Sequence, residues 1–326
     1  MGGHSDSFPM RVFAEPPALE PGHVLSRPPE APPRDPLWRS LLLFFLTLLA
    51  TMWAGQLHYA GFFLEPGAVE LPWTRWELFL RGAWYSVPIL AILGAHELGH
   101  YYACRYYKVD ASRPYFLPMP LLLTGTLGAF IRIRQQVQSK RALFDIGIAG
   151  PIAGFLVAVP ILLIGASMSR MVQLPSQGEV EFFGEPLLVQ FAIWLNFGTR
   201  PEGYDVVFHP MAFAAWFGLL ATALNLFPIG QLDGGHISYA VLGRKSTLVT
   251  LGATATVVAL AFFSMSWILW AALMVVMLLA FGPRHPRTFD EDIPLDRARL
   301  WLAGFALLMF VLCFTPVPLS VIQLSN

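Results

Sequence analysis

Charge is scarce in this chain. Of its 326 residues, 13% are Asp, Glu, Lys or Arg, whereas soluble domains typically have about 25%. Acidic and basic residues are equally numerous at 21 each, so no basic surface of the nucleic-acid-binding kind is predicted. Hydrophobic residues make up 56% and the mean hydropathy is +0.57. This composition predicts a multi-pass membrane protein and argues against a soluble enzyme.

Cysteine is nearly absent as well. Cys104 and Cys313 both lie in apolar segments, which excludes a disulfide framework and a cysteine-rich zinc module. The N-terminal region, in turn, has no long apolar run and is rich in proline. We therefore predict a disordered, cytosolic tail over residues 1–38 without a cleavable signal peptide, followed by one membrane-embedded domain over residues 39–320.

Seven apolar segments approach the length of about 20 residues that a helix needs to cross a bilayer. They are residues 40–59, 77–102, 143–167, 211–227, 248–263, 267–282 and 298–316. The fifth and sixth are short and closely joined, which is typical of a helical hairpin. The sequence thus predicts an all-α polytopic membrane protein with six or seven transmembrane helices.

The basic residues predict the orientation of these spans. Seven of them lie between the second and third spans, and Arg244 and Lys245 lie between the fourth and fifth. Both loops should be cytosolic, with the N-terminus inside. Residues 168–210 are mainly acidic and should face outward, either as a gate or as a connector with an amphipathic piece around residues 187–197. The membrane itself is expected to be a bacterial inner or plasma membrane.

Residues 114–134 are apolar but interrupted by proline and glycine. They are too irregular for a spanning helix, and the alternation at residues 129–134 favours a short strand. Two interpretations stay open: a re-entrant β-hairpin, which must satisfy its own backbone groups in the membrane, or an interfacial loop with basic anchors.

The motif His96-Glu97-Leu-Gly-His100 lies inside the second span. Helical spacing places the two histidines one turn apart on one face, with the glutamate beside them, as in zinc hydrolases. Ionisable side chains within a bilayer are costly and mark a functional site by default. The alternative is that the two histidines satisfy each other in a packed helix bundle.

A second motif ends the fourth span, where Asn225 is followed by Pro228, Gly230 and Asp233-Gly-Gly. Proline and glycine break the helix, and broken helices at membrane depth line a site. A catalytic zinc usually takes three protein ligands. We favour Asp233 as the third, while Asp145 and His236 compete for that role. Cys104 is expected to be a packing residue.

Together these residues resemble the site-2 protease family of intramembrane zinc metalloproteases, in the bacterial and plastid branch without PDZ or CBS domains. The similarity covers roughly residues 80–243 and includes GTLGAFIRIR and ALFDIGIAGPIAGF. It implies one Zn²⁺ per chain, held by His96, His100 and Asp233, with Glu97 as the catalytic carboxylate. Asn225 is separated from Pro228 by two residues, where the family has one. It is expected either to donate to the substrate carbonyl or oxyanion, or to form an interhelical hydrogen bond.

The resemblance implies hydrolysis of peptide bonds within or near the transmembrane segments of single-span proteins. This is the activity of regulated intramembrane proteolysis, in which the lipid bilayer is the second partner and nucleic acid is not one. Two other functions remain open. One is ion or proton transport through a site formed by His, Asp and Glu, and the other is zinc binding without proteolysis.

Overall fold

The computed structural model describes residues 35–63, 72–121, 123–175, 177–282 and 285–324. All but the last four residues of the predicted tail, 1–38, lie outside this part of the chain. The remainder, Asp35–Asn326, forms one compact unit.

Ten α-helices lie in the described residues. They are α1 (Leu37–Phe63), α2 (Arg75–Arg81), α3 (Ala83–Tyr106), α4 (Lys140–Ser167), α5 (Leu187–Phe197), α6 (Pro210–Asn225), α7 (Asp233–Leu242), α8 (Ser246–Phe263), α9 (Ser266–Phe281) and α10 (Arg297–Cys313). Six strands pair antiparallel in three two-stranded sheets, β1–β2, β3–β5 and β4–β6. They are β1 (Tyr115–Pro118), β2 (Thr126–Phe130), β3 (Arg170–Gln173), β4 (Gly178–Phe183), β5 (Tyr204–Val207) and β6 (Leu319–Leu324).

All seven predicted spans coincide with helices. Four helical stretches are long and apolar enough to cross a membrane, namely Leu37–Phe63, Arg75–Tyr106, Lys140–Ser167 and Asp233–Phe263. The chain is therefore a mostly helical membrane protein. Helices α6, α9 and α10 are shorter, so a total of six or seven crossings remains a prediction.

Glycines allow the first helices to approach closely. A Cβ added to Gly55 of α1 would collide with the backbone of Gly82, which links α2 to α3. Beside this crossing, the hydroxyls of Thr51 and Ser86 share a hydrogen bond of 2.6 Å. The hydrophobic effect does not drive helices together in lipid. Close approach and interhelical hydrogen bonds therefore hold α1 against α2 and α3.

Helix α4 is at the centre of the fold, since both α3 and α6 pack against it. Phe144 on α4 is fully buried in the same apolar cluster as Ile92 of α3 and Trp216 of α6. Helices α3 and α6 carry His96, Glu97, His100 and Asn225, while Asp233 begins α7, which also packs against α4.

The β1–β2 hairpin lies against α1 and α3. Its register pairs Tyr115 with Phe130 and Pro118 with Thr126. At its tip, the Leu123 carbonyl lies 2.9 Å from Nε2 of His58. The expected strand pairing is therefore present, while its insertion into a membrane remains a prediction.

The segment 168–210 contains three short strands around α5. Helix α5 has the bounds of the piece expected at residues 187–197, but its sequence, LLVQFAIWLNF, is apolar on most sides and not amphipathic. The strands themselves were not predicted. Each has four to six residues, and β4 pairs with β6, which lies at the far end of the chain. Local sequence patterns do not reveal such distant partners.

Helix α10 is attached to the core by an ion-pair network. Arg299 donates to both carboxylate oxygens of Asp145 on α4, with Nε at 2.9 Å from Oδ1. Tyr107, at the end of α3, donates to the same carboxylate. Asp296 caps α10 by accepting from the Arg299 backbone N–H. The network thus joins three helices at one point.

We expect Arg299→Ala to lower the free energy of unfolding by about 2 kcal/mol, because it strands a partly buried carboxylate without its bidentate partner. Thermal unfolding in detergent measures the effect. Arg297→Ala is the matched control, since Arg297 is exposed in the same helical turn. Equal losses in both variants would contradict the structural role of the network.

Candidate metal centre

Helix α3 presents three polar side chains to the interior. His96, Glu97 and His100 are 6%, 7% and 7% exposed. They lie in the C-terminal half of a largely apolar helix. The spacing of four residues brings the two imidazoles together, with Nε2 atoms 3.1 Å apart.

The break between α6 and α7 places a carboxylate opposite these histidines. Helix α6 ends at Asn225 and α7 begins at Asp233, and Gly230 between them takes a positive φ of 54°. Gly234 packs so closely on the Leu226 carbonyl that a Cβ there would collide with it. This tight return turns the start of α7 back toward α3.

Three donor groups consequently form a small triangle. Nε2 of His96 lies 3.2 Å from Oδ2 of Asp233, and Nε2 of His100 lies 3.3 Å from Oδ1. One nitrogen or oxygen atom from each residue falls within 4.8 Å of the others, so the three residues could hold a metal ion.

The donor set fits zinc. Ligand bonds of about 2.1 Å at tetrahedral angles place two donors about 3.4 Å apart, and the sides of the triangle need only a small expansion to reach that value. Two imidazoles and one carboxylate are also a recurrent ligand set of catalytic zinc, which leaves a position for water.

Helix α4 orients the second imidazole. Nδ1 of His100 lies 2.7 Å from the Ile146 carbonyl, and since a carbonyl only accepts, Nδ1 carries the proton. Nε2 is then left with a lone pair for a metal. Gly150 gives the ring its space, because a Cβ there would collide with the imidazole. A Cβ at Gly154 would lie 3.2 Å from the His96 Cβ, which is a tight contact.

Asn225 lies at the edge of the triangle, with its amide nitrogen 3.3 Å from Nε2 of His96. The structure thus brings this predicted residue to the same site as His96, His100 and Asp233. Glu97 is beside them, and the backbone of Ile131, just beyond β2, faces its carboxylate. All five predicted site residues therefore converge on one buried region.

The competing candidates are bound to other partners. Asp145 is bound by Arg299 and Tyr107. It lies in the second turn of α4, and Arg299 balances its charge. His236 shares a hydrogen bond of 2.8 Å with His285, whose pKa is lowered by burial. Cys104 is buried in an apolar cluster.

Sequence reasoning did not identify the supporting residues on α4. Ile146 acts through its carbonyl, which no side-chain pattern reveals. Gly150 and Gly154 did leave a signal, because small residues four apart on a helix are typical of close helix contacts in membranes. They belong to the ALFDIGIAGPIAGF stretch that carried the resemblance.

We expect Gly150→Ala to lower zinc affinity by about tenfold or more, since the added methyl group displaces the His100 ring and breaks its bond to the Ile146 carbonyl. Zinc content of the purified protein after dialysis against a weak chelator measures this. Gly252→Ala is the control, because its Cβ meets no atom within 4 Å. Unchanged zinc retention in Gly150→Ala would refute the role of this contact.

The chain is similar to known zinc metalloproteases. The model of peptidase family M50 matches residues 84–268. A probable zinc metalloprotease, EGY2, chloroplastic, of Oryza sativa subsp. indica is 32% identical over 260 residues, covering 77% of this chain and 46% of the relative. A probable zinc metalloprotease, EGY1, chloroplastic, of Arabidopsis thaliana is 31% identical over 316 residues, covering 86% of this chain and 54% of the relative.

The chain spans about half the length of the curated relatives it matches. The family match nevertheless extends over more than half of this chain and includes both motifs of the triangle. Zinc is the metal that the relatives' names specify, and the donor set found here suits it. The chain therefore belongs to peptidase family M50, the site-2 protease family of zinc metalloproteases.

Proposed function

We propose that this protein is an intramembrane zinc endopeptidase that cleaves membrane-protein substrates within or near their transmembrane segments. The observation that carries the proposal is the buried triangle of His96, His100 and Asp233 with Glu97 next to it on α3. A transport site would not need donors at zinc-ligand distances around a potential general base.

His96, His100 and Asp233 would hold the zinc ion. When bound, it supplies Lewis-acid chemistry, lowering the pKa of water and polarising a carbonyl. Glu97 removes a proton from the attacking water and later delivers it to the leaving amine. The Asn225 amide is placed to donate to the substrate carbonyl oxygen as negative charge develops there.

The proposal includes a membrane orientation. With the N-terminus in the cytosol, the histidines near the inner end of α3 and Asp233 at the end of the broken fourth span lie toward the cytosolic face, where water can enter. Six or seven spans surround them, and the β1–β2 hairpin is re-entrant. The relatives are chloroplastic by name, so a bacterial inner or plasma membrane remains a prediction for this chain.

Substrates are proposed to be single-span transmembrane proteins. A helix hides its carbonyls in hydrogen bonds, so it must unwind before attack, which favours substrates with Gly, Pro or polar residues near the scissile bond. Within the described residues β2 has no strand partner besides β1. Its outer edge can pair with the unwound segment by strand addition and hold it against Glu97.

We expect Glu97→Gln to retain about one zinc per chain and to lose cleavage by at least about a hundredfold, because the ligands remain while the base is removed. Asp233→Ala should lose zinc as well as cleavage. Metal content and cleavage of a single-span substrate in proteoliposomes, each with and without a chelator, measure both effects.

Glu202→Gln is the control for the loss of a carboxylate, since Glu202 is exposed in the outward segment. Equal zinc content in Asp233→Ala and the wild type would reject Asp233 as a ligand. Chelator-insensitive cleavage, or cleavage that survives Glu97→Gln, would reject the proposed mechanism.

A further inference from the structure

A cavity that the mechanism leaves unused lies at the end of the fold that faces outward in the proposed orientation. Its volume is about 490 Å³, and it is enclosed by the C-terminal half of α1, the tip of the β1–β2 hairpin and strands β3, β4 and β5. Much of its lining is apolar, with Phe62, Phe183 and Phe213, while His58 and Gln173 contribute polar surface. It is well separated along α3 from His96, because the hairpin tip contacts Tyr85 near the start of that helix.

Carboxylates line the same cavity. Glu179 and Glu181 alternate along β4 and so share one face of the strand with Phe183. Glu185 and Asp205 are already paired with Arg200, at 2.6 and 2.8 Å.

Glu179 and Glu181, in contrast, are exposed and make no ion pair with any described residue. The cavity thus combines a largely apolar interior with two carboxylates that form no ion pair with a described residue, while the one nearby cation of β3, Arg170, lies over the Phe62 ring.

We propose that this cavity docks a basic juxtamembrane segment on the outward side of the substrate. Lys and Arg match its chemistry, because their apolar stems can lie along the aromatic walls while their charged ends reach Glu179 and Glu181. The inference rests on the proposed function, since it assigns a further binding site to the same substrate.

The β1–β2 hairpin extends from the cavity to the metal centre. Leu123 at the hairpin tip lines the cavity, β2 begins three residues later at Thr126, and Ile131 faces Glu97. A substrate strand rises about 3.3 Å per residue. A segment paired along β2 therefore extends from the cavity to Glu97 over about five to eight residues, which fixes the spacing between the basic residues and the scissile bond.

The test uses a fluorescent single-span substrate with an Arg pair six residues outward of its cleavage site. Binding is measured with zinc-loaded Glu97→Gln protein, so that it does not depend on turnover, and cleavage is measured with the otherwise wild-type protein. Adding Glu179→Lys and Glu181→Lys should raise the Kd by about tenfold, the effect of reversing two exposed ion pairs. The KM should rise similarly, with little change in kcat. A substrate with a Glu pair should recover binding to this variant.

Glu202→Lys is the matched control, because it adds the same kind of charge outside the lining of the cavity. Moving the Arg pair two residues outward should move the cut by the same number, as read by mass spectrometry. Unchanged binding in the double variant, or equal weakening by Glu202→Lys, would overturn the docking site. Binding that responds to both charge reversals without any cleavage by the wild type would support docking and reject the proposed proteolysis.

Discussion

Burying His96, His100 and Asp233 among apolar helices is the constraint from which the rest of this structure follows. Burying polar groups in such surroundings is costly unless each has a partner. Here one donor atom from each residue lies within 4.8 Å of the others, close enough to bind one metal ion. That arrangement requires α4 to come very close to α3, which Gly150 permits. It also requires the helix to break before Asp233, because a continuous α6 would carry the carboxylate past the histidines.

The open edge of the β1–β2 hairpin is a second set of polar groups that needs a partner. An open strand edge exposes unpaired N–H and C=O groups, and hydrocarbon cannot satisfy them. Strand β2 lies beside α3 with Leu127 and Phe130 largely exposed. If the hairpin enters the membrane as proposed, an unwound substrate segment satisfies this edge while the edge satisfies the substrate. Each then compensates a cost that the other would bear alone in the bilayer.

The sequence predicted the parts of the fold that depend on local patterns. The four-residue spacing of His96 and His100 indicates a helical face, Pro228 and Gly230 indicate a break, and apolar runs indicate helices. Strand β4 escaped prediction because its partner β6 lies more than 130 residues away, and no local periodicity records that pairing. Likewise, the sequence identified Asp145 as a candidate metal ligand but not its actual partner, Arg299, which is distant along the chain.

Helix α4 links the metal centre to the end of the chain through two adjacent residues. Asp145 binds Arg299 of α10, and the neighbouring Ile146 carbonyl orients His100. The contact that holds α10 and the contact that orients His100 are therefore made by neighbouring residues on one turn of α4. Helix α10 lies outside residues 84–268, which match the family. The unit that maintains the geometry of the centre is therefore larger than the segment that carries its motifs.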